Sequence, residues 1–138
     1  MADCAVPIGG RDMTGRRAHL PRQVAIDAYG DGGFRFDGGM SHRGSLLALP
    51  SGMYAWTPDD ILRLKETDFA DLFLETEPVD FLLVGTGGHI RVIPEALKWR
   101  FRDRNMQSDA MRTGDAIRTY NILLGERRRV AAAFFAVD

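Results

Sequence analysis

The last quarter of the chain, from Met111 to Val137, leaves the fewest structural options. Ala116, Ile117, Tyr120, Leu123 and Leu124 recur at the spacing of one apolar helix face. Thr113 stands where it can cap that helix by accepting an N–H bond, and Asp115 falls in the first turn, where negative charge suits the dipole. Gly125 is placed to end the helix in a left-handed conformation. Val130 to Val137 then runs apolar without alternation, as a strand covered on both faces does. The polar residues Thr119, Asn121, Glu126 and Arg128 surround this helix–strand unit.

Upstream, the pattern divides in two. From Val24 to Trp56, short strand-like runs alternate with glycine turns: Val24–Tyr29, Phe34–Phe36, Ser45–Leu49 and Met53–Trp56. Thr57-Pro58 then reads as a helix start, with Thr57 as cap and the helix ending near Thr67. A second short helix is expected over Asp68–Leu74. Phe81-Leu-Leu-Val84 is an uninterrupted apolar run of central-strand type, and Pro94 opens a helix to about Phe101. Met106–Met111 is the next extended piece. Strand and helix alternating at short intervals favour crossover units. The reading is an α/β fold: a three-layer domain with a central mixed β-sheet flanked by helices, plus an N-terminal β-hairpin region. Residues 1–20 are expected to form a flexible tail and residues 21–138 a single domain.

Charge and cysteine content remove several functional classes. The net charge is −1, although residues 1–90 carry 8 basic and 13 acidic groups and residues 91–138 carry 10 and 6. That balance lacks the basic excess of a dedicated nucleic-acid binder. Cys4 is the single cysteine, so no internal disulfide or cysteine metal cluster can form. No apolar run approaches the length of a membrane-spanning helix, and the first twenty residues lack a signal core. A cytoplasmic bacterial location is expected, peripheral to the inner membrane only through a partner.

The chemistry-bearing residues mostly have structural explanations. Gly85-Thr86-Gly87-Gly88 follows a predicted strand, where glycines let backbone N–H groups approach an anion. Yet Ile90 occupies the third glycine position of a dinucleotide fingerprint, and no phosphate-loop lysine follows. A tight structural turn is the first reading and a small-ligand loop the second. The helix start at Thr113, with Arg112 and Arg118, offers another anion-binding end, but ordinary capping explains the same residues and is the first reading. His19, His42 and His89 lack metal-ligand spacing, so no metal or cofactor is expected. Gly39–Gly44 resembles a nucleophile elbow only in composition, because the strand–helix context is missing. Asp59-Asp60 suits a helix start without catalysis. Asn121 is expected to tie its helix to a neighbouring loop, the glycine turn being the candidate, by a structural hydrogen bond.

Taken in order, Phe81-Leu-Leu-Val-Gly-Thr-Gly87, Met111-x-Thr113, Thr119-Tyr-Asn-Ile-Leu123 and Glu126-x-Arg128-x-Val-Ala-Ala132 resemble a small α/β domain family of unknown biochemical activity. That family includes the mitochondrial NADH dehydrogenase (complex I) assembly factor 3 and bacterial relatives. The resemblance spans roughly residues 20–137 and implies a three-layer fold, a protein-binding role and no established catalytic residues. It carries over Gly85, Thr86, Gly87, Thr113, Thr119, Asn121, Glu126 and Arg128 as a surface site. Arg127 stands where glycine is expected between the glutamate and the arginine.

The expected function is therefore non-enzymatic: an accessory domain that binds complex I subunits or another assembly factor. On that reading, Asn121→Ala or Arg128→Ala weakens partner capture with the fold largely intact. The alternative is a small-ligand or anion-binding domain, with or without enzyme activity, using the Gly85–Gly88 loop. Self-association through the apolar surface is the third reading.

Overall fold

In the computed structural model, which describes residues 20–58 and 60–138, the β-rich first half supplies parts of two sheets. Strands β1 (Ile26–Gly30), β2 (Gly33–Phe36) and β3 (Ser41–Arg43) form an antiparallel three-stranded sheet. Strands β4 (Leu46–Leu49), β5 (Gly52–Ala55), β6 (Phe81–Gly85), β7 (Gln107–Met111) and β8 (Val130–Phe134) make the central sheet, in the order β5-β4-β8-β6-β7. It is mixed: β6 is parallel to β7 and β8, whereas β4 is antiparallel to β5 and β8. The helices are α1 (Ala70–Phe73), α2 (Glu95–Asp103) and α3 (Thr113–Gly125), with 3-10 turns at Ile61–Arg63 and Glu66–Phe69.

The order of connections explains the layers. The β6–α2–β7 unit steps outward to the sheet edge, and β7–α3–β8 steps back across β6. Crossovers that share one hand but move in opposite directions put their helices on opposite faces. Side-chain alternation agrees. Leu82 and Val84 of β6 and Ala131 and Ala133 of β8 join a core with Leu97 and Phe101 of α2. Leu83, Val130, Ala132 and Phe134 point the other way, against Ala116, Ile117 and Tyr120 of α3. Phe34 and Phe36 of the small sheet join that second core. The fold is thus the expected three-layer α/β arrangement with an added N-terminal β region.

Aromatic packing closes each layer. Trp56 lies 4.9 Å from Phe135 and 5.4 Å from Phe69, which meets Phe101 edge-on at 5.1 Å. On the opposite face Tyr120 meets Phe134 edge-on at 5.5 Å. Trp56 also donates its indole N–H to the Asp68 carbonyl at 2.8 Å, so its polar edge is satisfied.

Several local expectations need correction. The helix expected from Pro58 is a 3-10 turn whose cap is Asp60, accepting the Leu62 N–H at 2.9 Å; Thr57 is exposed. Lys65 precedes the next 3-10 turn instead of belonging to the first. Ser41–Arg43, given no strand between Phe36 and Ser45, is β3, because Phe34 and Arg35 pair with His42 and Ser41. In β1 Ile26 is buried and Ala28 exposed, since a register shift between them breaks the alternation. Gly125 does not end α3 in a left-handed turn; Arg127 does, at φ +60°. The tail expected over residues 1–20, with Cys4 and His19, lies outside the described residues except at its last position. There Leu20 is buried and exchanges backbone hydrogen bonds with Met53. Asp59 also lies outside them.

Candidate functional site

The C-terminal ends of β6 and β8 and the start of α3 converge at Gly85. A Cβ at this residue would lie 3.0 Å from Thr113 Cα and Oγ1 and 3.1 Å from Phe134 Cδ1. Only a glycine lets the helix start close this tightly on the sheet. Thr113, fully buried, then acts as a clasp. Its Oγ1 accepts the Gly87 N–H at 2.9 Å and donates to the Phe135 carbonyl at 2.8 Å, while its own N–H reaches Gly87 O at 2.9 Å. The expected capping role is therefore corrected. Thr113 is the first helical residue, and its hydroxyl serves the glycine loop, not α3.

Thr86 is held in the same way. Its N–H bonds to Met111 O at 2.8 Å, and its hydroxyl has the carbonyls of His89 (2.5 Å) and Met111 (3.2 Å) within reach. Gly87 takes φ +95°, which a side chain would strain. The loop is thus tied down at Thr86 and Gly87, while Gly88 is exposed. The Thr86 and Gly87 N–H groups face protein acceptors, the opposite of a phosphate cradle.

Beside this turn lies a depression of about 330 Å³ lined in part by Tyr29, Gly88, Arg112, Gly114 and Arg118. The Tyr29 ring lies directly against Gly114, whose missing side chain makes room for it. Asp115 takes both nearby cations, Arg112 at 3.2 Å and Arg118 in a close ion pair. One carboxylate between two guanidinium groups leaves a local positive excess.

The remaining sequence candidates lie elsewhere. Thr119 donates to the Asp115 carbonyl at 3.1 Å, one turn along the helix. Asn121 pairs its amide with both backbone groups of Ile26: Nδ2 donates to the carbonyl at 2.8 Å and Oδ1 accepts the N–H at 3.0 Å. It ties α3 to β1, not to the glycine turn. Glu126 and Arg128 are exposed beyond the far end of the 13-residue helix, roughly 20 Å from the clasp at 1.5 Å per residue. Arg128 lies over the Phe81 ring at 5.2 Å. The eight residues accordingly divide into a loop clasp, a link to the small sheet and an exposed helix end; they do not make one patch.

Buried polar groups follow the same structural logic. Tyr120 donates to Val24 O at 2.6 Å, and burial pushes its phenol well above the ordinary range, with a hydrogen bond to Gln23 opposing the shift. His42 is buried with Nε2 3.0 Å from Ser45 O. His89 is exposed. Among the described residues no group of three or more histidine, cysteine, aspartate or glutamate side chains could hold a metal ion. No helix among them is long and apolar enough to cross a membrane. Sequence reasoning missed the exposed Ile90 and Val92 that follow the glycine loop, although their i, i+2 spacing before Pro94 was a signal of an extended surface segment.

The two sheets, the crossover helices and the Gly85–Thr113 clasp make up a small α/β domain. The chain belongs to the family of proteins of unknown function DUF498/DUF598, whose profile matches residues 26–135. An uncharacterised protein of Rhodobacter capsulatus is 36% identical over 121 residues, covering 88% of this chain and 91% of the relative. The NADH dehydrogenase [ubiquinone] 1 alpha subcomplex assembly factor 3 of Drosophila melanogaster is 29% identical over 115 residues, which cover 80% of this chain but only 57% of that protein. A solved structure described as an outer membrane protein from Bartonella henselae matches with a TM-score of 0.81 and 42% identity, over 87% of this chain and all of that one. The fold and family expected from the motifs are therefore found.

Proposed function

We propose that this protein is a non-enzymatic accessory factor that binds another protein and assists assembly of respiratory complex I. The observation that carries the reading is the saturated clasp. Thr86, Gly87 and Thr113 direct their hydrogen-bonding groups into the fold, so the part best suited to chemistry is occupied with holding shape. What projects outward is contact surface, including Ile90 and Val92 on the segment after the loop. The relative named as a complex I assembly factor supplies the direction, and a partner subunit or second assembly factor is the expected ligand.

Deleting the gene in the cells that encode it tests the reading. Loss of intact complex I on native gels, with other respiratory complexes retained and wild-type protein restoring it, is the expected result. Normal complex I levels in the deletion strain would refute it.

The depression at the start of α3 supports a second reading, a small-anion site, because Arg112 and Arg118 outnumber Asp115 there. Phosphate, nucleotides or carboxylates raising the melting temperature, with loss of the effect in Arg118→Ala, would favour it.

A further inference from the structure

The two edges of the central sheet are treated differently by the chain. At β5, Leu20 lies alongside and exchanges backbone hydrogen bonds with Met53. At β7 the pairing stops. Gln107 N–H bonds to Asp80 O and Met111 O accepts from Thr86 N–H, so these residues turn their polar backbone toward the β6 side. Backbone direction alternates along a strand, and therefore Ser108 and Ala110 turn their N–H and C=O groups outward. Among the described residues these groups find no protein partner. Both residues are half-buried, so the edge is accessible but recessed.

The recess continues as two hollows along the α2 side of the edge, about 440 Å³ and 260 Å³, which share Lys98 and Ser108. The hollow at the Ser108 end is lined by Lys98 and Arg102. That at the Ala110 end is lined by Ile90, Val92 and Ile93. Val92 is 74% exposed and Ile90 65%. Arg100 of the same helix is paired with Glu66, but Lys98 and Arg102 make no ion pair among the described residues; Arg102 lies over the Trp99 ring.

We propose that the β7 edge is the protein's docking site for an extended segment of a partner protein, which adds as a sixth strand against Ser108 and Ala110. The proposal deepens the protein-binding role above and rests on it. On the α2 side the added strand carries an acidic residue facing Lys98 and Arg102 and, two positions away, an apolar residue over Ile90 and Val92. Main-chain hydrogen bonds supply the binding, and the alternate side chains supply the selectivity. A second copy of this chain fits poorly. The antiparallel register that uses Ser108 and Ala110 of both copies sets Asp109 directly opposite its own counterpart, and facing like charges repel.

The test uses the full chain and a seven-residue blocked peptide, Thr-Val-Thr-Glu-Thr-Val-Thr, which presents the acidic and apolar residues in either strand direction. Wild-type protein is expected to bind it, with amide shifts centred on Ser108, Ala110 and residues 90–93. N-methylating alternate peptide nitrogens, or replacing the glutamate by lysine, is expected to weaken binding at least tenfold. Ala110→Pro removes an outward N–H at an edge position where proline is tolerated, and should abolish binding with little change in melting temperature. The Lys98→Glu, Arg102→Glu double variant should invert the preference and select the lysine peptide. That inversion keeps the test decisive if the proline variant misfolds. Equal binding of the N-methylated peptide, unchanged preference in the double variant, or a dimer dispersed by Ala110→Pro would each overturn the proposal. If Ala110→Pro restores complex I in a deletion strain that needs the protein, the accessory role stands and the edge proposal falls. If the deletion leaves complex I intact while the peptide binds as described, the edge stands and the assembly role falls.

Discussion

Thr113 shows why a residue legible as a cap has another task. Its hydroxyl satisfies the Gly87 N–H and Phe135 carbonyl simultaneously, joining the glycine loop to the chain beyond β8 through a side chain with no exposed surface. A valine has the same shape and neither bond. Thr113→Val leaves the Phe135 carbonyl short of a partner inside the fold, where an orphaned buried group costs about 1–3 kcal/mol, while the half-buried Gly87 N–H can turn to water. The expected loss is therefore about 1–3 kcal/mol on that scale, read as a lower urea midpoint at constant slope, whereas Thr113→Ser, which keeps the hydroxyl, loses far less. A valine variant within about 0.5 kcal/mol of wild type would show the hydroxyl contributes no clasp. Asn121 belongs with Thr113. Its amide is committed to Ile26, so Asn121→Ala loosens β1 and does not isolate a binding role as Arg128→Ala does.

At the scale of elements, α3 was readable through its apolar face but not through its end. Glycine is the usual left-handed terminator, which made Gly125 the natural choice. The chain instead turns two residues later, with Arg127 N–H bonding Leu124 O and Arg128 N–H bonding Leu123 O, both at 2.9 Å. Arg127 thus occupies the position where the sequence resemblance leads us to expect glycine. A side chain there costs about 1–2 kcal/mol, and the extra freedom glycine gives the unfolded chain offsets about 0.4–1 kcal/mol of the relief. Arg127→Gly is accordingly expected to stabilise the protein by about 0.8 kcal/mol at the centres of these two ranges, seen as a higher urea midpoint. A lower midpoint would mean the arginine makes a compensating contact. Central strands β6 and β8 were legible because burial on both faces leaves an unbroken apolar run. The three-residue β3 was not, since its Ser-His-Arg carries no alternation strong enough to outweigh flanking glycines. The site was only partly legible for a related reason. Motif spacing brings Gly85, Gly87 and Thr113 to attention, but hydrogen-bond direction, which makes them a clasp and not a cradle, exists only once the chain is folded.

For the whole molecule, the three-stranded sheet is held to the main body through the second core, and Tyr120 is its polar fastening. The phenol of this fully buried residue donates to Val24 O just before β1 while its ring packs on Phe134 of the central strand. Burial disfavours the phenolate, so the folded pKa lies above the unfolded value near 10. The folded state then retains a proton that the unfolded chain releases above pH 10. Stability contributed by this group is intact below that point and declines as pH rises toward the folded pKa, by at most about 1.4 kcal/mol per pH unit. Tyr120→Phe removes the titration along with one hydrogen bond, worth about 1 kcal/mol at neutral pH. Wild type should therefore be the more stable near pH 8, and the two urea-unfolding profiles should converge near pH 11 on these magnitudes. The exposed Tyr29 and the other titrating groups are common to both proteins, so the difference between the profiles isolates Tyr120. Parallel profiles from pH 8 to 11 would mean that the phenol ionises as easily in the folded protein as in water, and that the attachment between the two sheets opens without global unfolding.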